Sequence, residues 1–270
     1  MLASAPSGAK PPEVDSGHWY DRNGNPCYQQ TTGKGGVRAT DLRDGRKLGL
    51  VPSVTTVLGV LAKPALTNWM VEQAILAALT LPRIEGERES DYLARVKADS
   101  REQAKAAAEE GTRVHDACEC AFKGEWYPDK YQAHVAGVQA EVARLFPDVT
   151  DWVAEASFAH ESGFGGKVDL HSPSTGIVID YKGKDGDFTD GKRLAYDQHF
   201  QLAAYNRGLI LPPNVCANIF FSRTHPGLVA SHVWKRDDVD KGWMVFAAAL
   251  ELWKAQKLFD PSFSREAKAA

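Results

Sequence analysis

Asp169, Asp180 and Lys182 are the residues of this chain whose types and spacing can do chemistry together. They lie in the segment from Gly165 to Lys182, GGKVDLHSPSTGIVIDYK, with Asp169 between Val168 and Leu170 and Asp180 directly after Ile177, Val178 and Ile179. β-Branched runs bounded by Gly, Pro and Ser predict two strands, and the Ser-Pro-Ser-Thr-Gly cluster between them predicts a turn. Antiparallel pairing of those strands brings the two carboxylates together at the end of an apolar sheet. There they repel, and a divalent cation between them removes the repulsion. Oxygen donors suit Mg²⁺ or Mn²⁺ better than Zn²⁺. Lys182 is two residues past Asp180, so both side chains leave a strand on the same face. An ammonium in that place can orient a water molecule or stabilise charge that develops on a phosphate.

Two further patterns flank this segment. Upstream, GTRVHDACE (residues 111 to 119) places His115 one position off the apolar stripe Val114, Cys118 and Ala121, with Glu119 at i+4 on the same helical face. A metal-binding His115 is expected to have its other ring nitrogen steadied by Glu119. Downstream, QLAAY puts Gln201 and Tyr205 at i, i+4 on one face of a helix predicted over 197 to 208. Gln201 offers an amide, and Tyr205 a hydroxyl or a stacking ring.

In this order, the four patterns resemble the RecB-like exonuclease branch of the PD-(D/E)xK nuclease superfamily. That branch carries a histidine upstream, Gly-x-x-Asp (here Gly166 to Asp169), acid-x-Lys (Asp180 to Lys182) and Gln-x-x-x-Tyr. The literal Pro-Asp dipeptide is absent, since Val168 precedes Asp169. The resemblance covers residues 111 to 205. The short VPSVTTVLGVL segment, residues 51 to 61, also resembles the opening of mitochondrial genome maintenance exonucleases and related phage nucleases.

The resemblance implies an α/β fold, with a mixed central sheet flanked by helices and a helical part before it. It implies a metal-dependent DNA exonuclease, closest to the kind that takes single strands with a free end. His115, Asp169, Asp180 and the carbonyl of Tyr181 would hold Mg²⁺ or Mn²⁺, with the imidazole tilting the preference toward Mn²⁺. Lys182 would orient the attacking water, and Gln201 and Tyr205 would hold the substrate phosphate. Glu155 is the candidate for the glutamate such proteins often bear on the preceding strand. It could polarise the site, contact a second ion through water, or anchor Lys167. Ser53 or Thr55 could cap a short helix whose N-terminus seats a phosphate, with plain capping the simpler role. Tyr205 and Trp69 are candidates for stacking on bases along a narrow passage. Two other readings stay open. One is a structure-selective endonuclease with the same chemistry, and the other a DNA-binding or assembly protein on an inactive form of the fold.

Composition narrows the field less sharply. With 270 residues, 43% hydrophobic and 25% charged, the chain has room for a proper core. A net charge of −3 excludes a uniformly basic surface, so a DNA enzyme needs a local basic groove, to which Lys182, Lys184, Lys192 and Arg193 could contribute. Cys27, Cys118, Cys120 and Cys216 form no disulfide framework and suggest a reducing compartment, the cytoplasm of a bacterial or phage-infected cell. No cysteine follows Cys216, which argues against the iron–sulfur cluster some RecB-like nucleases carry. No apolar run reaches membrane-spanning length, and no membrane partner is expected. The DNA chemistry would serve repair or recombination.

The chain divides in expectation into a flexible tail over 1–16, a hairpin and helical region over 17–110, and the nuclease core over 111–270. The first part should hold a hairpin turning at Asn23-Gly24, a helix over 66–80, and a long helix over 87–122 that breaks at Gly111-Thr112. Strands are expected over 152–160, 218–222 and 229–234, and a helix over 237–258 carrying Trp243 and Trp253 in the core.

Overall fold

Four short strands open the fold: β1 (Trp19–Tyr20), β2 (Gln29–Thr31), β3 (Val37–Ala39) and β4 (Val51–Pro52). The computed structural model describes residues 17–264 except 34, 189, 190 and 192, and omits the side chains of 65 and 103. The tail expected over 1–16, and Lys192 of the basic run, fall outside the described residues. The Asn23-Gly24 turn forms: Gly24 has φ +88 and donates to the Asp21 carbonyl at 3.0 Å. Beyond a single Tyr20–Pro26 bridge, however, the expected hairpin does not continue; β1 pairs with β4 and β2 with β3. Burial explains the choice. Trp19 and Tyr20 enter the core, while the polar β2–β3 ribbon stays largely outside it.

Helix α1 (Leu42–Leu48) starts on an Asp41 capping box and ends on Gly49 at φ +64. The four-residue α2 (Val54–Val57) follows, then α3 (Pro64–Thr80) and α4 (Glu89–Lys123). The predicted break at Gly111 does not occur, and α4 runs unbroken for 35 residues. One glycine costs a helix about 1 kcal/mol against alanine. The packing of Val114, Ala117 and Cys118, all buried just beyond it, outweighs that. Helix α5 (Gln132–Leu145), absent from the sequence expectation, buries Val135, Val138 and Val142 on one face.

The core sheet contains β5 (Val153–His160), β6 (Phe164–His171), β7 (Val178–Lys184), β8 (Cys216–Ser222) and β9 (Val229–Trp234), in that spatial order. All neighbours are antiparallel except β7 and β8, which are parallel. A parallel neighbour requires a crossover, and α6 (His199–Gly208) lies within it. The chain ends in α7 (Arg236–Lys257), which places Trp253 in the core as expected and leaves Trp243 partly buried against it. The architecture is therefore the expected mixed α/β one, a five-stranded sheet with helices on both faces. On one face α2, α6 and α7 cover Val168, Val178, Cys216 and Phe220. On the other, α4 and α5 cover Leu170, Ile179, Tyr181, Ala217, Ile219 and Phe221.

The sheet is irregular at one level, between β5 and β6. Val168 and Leu170 are two residues apart and should share a face, yet they belong to opposite layers, as do Phe158 and Ala154. Between them lie Asp169 and Glu155, which face each other across a gap in the β5–β6 ladder. Glu155 has φ +57, a left-handed value rare for a residue with a side chain. The two strands thus exchange faces at the level of these acids.

Glycine-to-alanine changes give opposite outcomes on two helices. At Gly111 an added Cβ meets nothing within 4 Å, so Gly111→Ala should stabilise by about 1 kcal/mol through helix propensity. At Gly208 it would lie 2.0 Å from the Phe158 ring, so overpacking of about 1–3 kcal/mol should override the same gain. Urea denaturation of the two variants reads the difference in sign.

Candidate active site

The site forms where β6 and β7 separate. Their ladder holds only Leu170 opposite Ile179 and His171 opposite Val178. The next pair would be Asp169 and Asp180. Instead of backbone pairing, the Asp169 carboxylate accepts the Tyr181 N–H at 2.7 Å. A residue in an extended strand sends its N–H and carbonyl toward the same neighbour, so the Tyr181 carbonyl also faces this cleft.

Asp180 is buried, 3% exposed, and its two oxygens are fully engaged. Lys182 donates to Oδ1 at 3.0 Å and lies 2.7 Å from Oδ2. The Gln201 amide, reaching down from α6, donates to Oδ1 at 3.0 Å. Asn218 on β8, directly opposite Asp180 in the parallel register, donates to Oδ2 at 2.9 Å. Gln201 also accepts from Lys182 at 3.2 Å and donates to the Tyr205 hydroxyl at 2.7 Å. His115 enters from α4 on the other face, its Nδ1 3.4 Å from Asp169 Oδ2. Its ring lies edge-on to Tyr181 and Phe221. The cleft is thus closed from one side of the sheet by α6 and from the other by α4.

The charges fix each other. Burial pushes the Asp180 carboxyl up and Asp169 adds to the push, against opposition from Lys182 and His115. At Asp169 burial also pushes up. There, however, His115, Lys182 and the Tyr181 N–H outweigh it and hold the group below the usual carboxylate range. Burial alone would lower His115 and Lys182, yet the two carboxylates raise both. One acid is stabilised as the anion and the other carries the repulsion.

The expected residues are thus placed unevenly. His115, Asp169, Asp180, Lys182, Gln201 and the Tyr181 backbone converge. Tyr205 reaches the cluster only through its hydroxyl. Its ring is buried against Phe158 and so close to Gly166 that a Cβ there would meet it at 2.8 Å, which rules out stacking on a base. Trp69 lies partly buried on α3. Glu119 does not steady His115; its carboxylate pairs with Lys123 and lies 4.0 Å from Lys167. Glu155 pairs with Lys167, the anchoring role among those open to it. Ser53 is buried and caps α2, accepting the Thr56 N–H at 3.0 Å. Thr55 is exposed beside it, on a helix of only four residues. Asn218 was missed by sequence reasoning, because only the β7–β8 register reveals it. It also accepts the Trp234 indole N–H at 2.8 Å. Burial pushes the Cys118 and Cys216 thiols up to about 12, which suits inert core residues.

Two carboxylates, an imidazole and a carbonyl form a donor set that suits Mg²⁺ or Mn²⁺. Among the described residues no three His, Cys, Asp or Glu side chains are gathered tightly enough to hold an ion in this arrangement. The Lys182 ammonium lies against Asp180 where a cation would compete for the same oxygens. The donor types fit such an ion, which would have to draw them together and share Asp180 with the lysine.

No family model and no curated protein significantly matches this chain. Among solved structures it is similar to an alkaline exonuclease from Laribacter hongkongensis: 15% identity over 80% of this chain and 97% of that one, with a TM-score of 0.37. It is also similar to a phage-related exonuclease from Haemophilus somnus 129PT: 11% identity over 68% and 92% of the two chains, with a TM-score of 0.28. These likenesses are distant, and neither carries weight for what this chain does. Among the described residues no helix is long and apolar enough to cross a membrane.

The geometry makes two outcomes measurable. Asn218→Leu would leave a buried Asp180 oxygen and the Trp234 indole N–H short of partners, so it should destabilise by about 1–3 kcal/mol in urea denaturation. In ion-free protein, His115 should titrate above its ordinary 6.5 by NMR, and Asp169→Asn should lower it, since burial then acts against less opposition. A raised histidine contributes stability below 6.5 that is lost as pH rises through its folded value. A depressed Asp169 contributes above 3.8 and loses it as pH falls through its own. Both contributions are present together between these values.

Proposed function

We propose that this chain is a metal-dependent deoxyribonuclease that hydrolyses phosphodiester bonds from a free end of DNA, with single strands preferred. The observation that carries the reading is the meeting of Asp169, Asp180 and Lys182 in one cleft, with His115 and Gln201 closing it from opposite faces of the sheet. Fold alone would not justify an activity.

Asp169, Asp180, His115 and the Tyr181 carbonyl would hold Mg²⁺ or Mn²⁺. The ion supplies charge against the phosphate and lowers the pKa of water. The residues of the chain do the rest. Asn218 and Gln201 fix the Asp180 carboxylate, so its oxygens need little reorganisation when the substrate arrives. An ion bound there would share the Asp180 carboxylate with Lys182. Lys182, released in part from Asp180, turns its ammonium toward the attacking water and orients it for in-line attack. Gln201 keeps its amide on Asp180 and the Tyr205 hydroxyl, and its carbonyl oxygen steadies the lysine ammonium. Tyr205 holds Gln201 from below rather than touching the substrate.

The preference for one strand rests on the cleft's position. His115 and Gln201 approach from the two faces of the sheet, so α4 and α6 would confine a substrate strand between them. An endonuclease with the same chemistry would not need a terminus.

Asp180→Asn and Lys182→Ala should each lower turnover on end-labelled DNA by about a hundredfold or more. Parental rates in Lys182→Ala would remove the lysine from the mechanism. His115→Ala should shrink the advantage of Mn²⁺ over Mg²⁺. Linear single strands should be degraded while covalently closed circles of the same sequence survive. Rapid cutting of circles would assign an endonuclease, and no cutting of any DNA an inactive binding protein.

A further inference from the structure

Three cations crowd the ends of β7 and β8: Lys182, Lys184 and Arg223. Two of them have carboxylate partners. Lys182 lies against Asp180, and Arg223 donates to Asp185 at 2.8 Å and to the Gly183 carbonyl at 3.0 Å. Lys184 makes no ion pair among the described residues, although it is half-buried. Its ammonium is pushed down first by burial, then by repulsion from Arg223 and Lys182. A half-buried ammonium beside two other cations is costly unless something anionic completes the group.

Position supports the same conclusion. Asp180, Lys182 and Lys184 alternate along β7 and project from one face, so Lys184 follows the catalytic lysine by two residues, about 6.6 Å along the strand. The strand is held there firmly. Lys184 pairs in register with Ser222, its carbonyl accepts the Arg223 N–H at 2.8 Å, and the guanidinium braces Gly183. The ammonium therefore stands on a rigid element, one step beyond the chemistry and on the same face.

We propose that Lys184 seats the phosphate next to the scissile one, with Arg223 fixing the strand end beneath it. This rests on the reading of the chain as a deoxyribonuclease and adds the residue that registers the substrate strand. Lys184 is a binding residue here, and it takes no part in bond cleavage.

The test uses labelled single-stranded oligonucleotides with the full chain in EDTA, so that nothing is cut. Fluorescence anisotropy over a range of salt gives the slope of log affinity against log salt. Lys184→Met should flatten the slope by about 0.7, the share of one phosphate contact on single strands, while Lys184→Arg and Lys97→Met, about 27 Å up α4 from His115, keep the parental slope. An oligonucleotide with a neutral methylphosphonate at the flanking position should weaken binding to the parent and leave Lys184→Met unaffected. With the metal present, Lys184→Met should raise KM and preserve kcat. Its thermal midpoint should hold or rise, since an unpaired half-buried charge has gone, so weaker binding cannot be blamed on unfolding. A parental slope and an unchanged methylphosphonate response in Lys184→Met would overturn the proposal while the parent still degrades DNA. If the parent degrades no DNA with either ion, the functional reading falls and the proposal falls with it.

Discussion

Two carboxylates held in one buried cleft are the constraint on which the rest of the site depends. Asp169 and Asp180 would repel strongly if both were charged and unaccompanied. The chain answers with cations from two directions, His115 from α4 and Lys182 from β7, and with neutral donors in the backbone of Tyr181 and the amides of Gln201 and Asn218. These donors come from α4, α6, β7 and β8, so the cleft exists only when sheet and helices have assembled. The opening between β6 and β7 is part of the same solution. Continued backbone pairing would have occupied the Tyr181 amide that Asp169 uses and closed the space between the acids.

The surrounding structure is arranged to keep that opening rigid. Glu155, at a left-handed φ, marks the place where β5 and β6 exchange faces, and Lys167 neutralises its buried carboxylate. Such strain persists only where the neighbourhood over-determines it, and it is often found at functional sites. On the other side β8 is buried along its whole length, which anchors Asn218, and Trp234 on β9 anchors Asn218 in turn. Gly166 lets the Tyr205 ring lie against β6, and Tyr205 then positions Gln201. Polar groups at the centre are thus supported by apolar contacts one layer out.

Much of this was legible in the sequence, for identifiable reasons. The β6–β7 turn, Asp169, Asp180 and Lys182 are local in the chain, and strand periodicity places them without knowledge of distant contacts. Most elements also derive from periodicity, whereas the mixed sheet was expected from the resemblance that the four patterns carry. What escaped depends on packing. Gly111 reads as a helix breaker, yet α4 continues because Val114, Ala117 and Cys118 are buried beyond it. Val135, Val138 and Val142 carry a helical spacing that could have revealed α5. Asn218 carries no local signal at all; its importance comes from the parallel register with Asp180. Spacing put Glu119 on the correct face of α4, but the nearer ammonium of Lys123 captures its carboxylate. Tyr205 has the right spacing from Gln201 and a different role, since burial decides what a ring can touch.

The chemistry proposed for the cleft depends on these two carboxylates binding a divalent ion. Titration calorimetry of the metal-free protein with Mn²⁺ addresses it without reference to substrate. Binding should saturate and should strengthen as pH rises, because the His115 imidazole, whose charged form the two carboxylates favour, must lose its proton to ligate. It should be lost in Asp169→Asn and Asp180→Asn proteins that remain folded. Equal binding in the parent and both variants, or no binding in any of them, would contradict it.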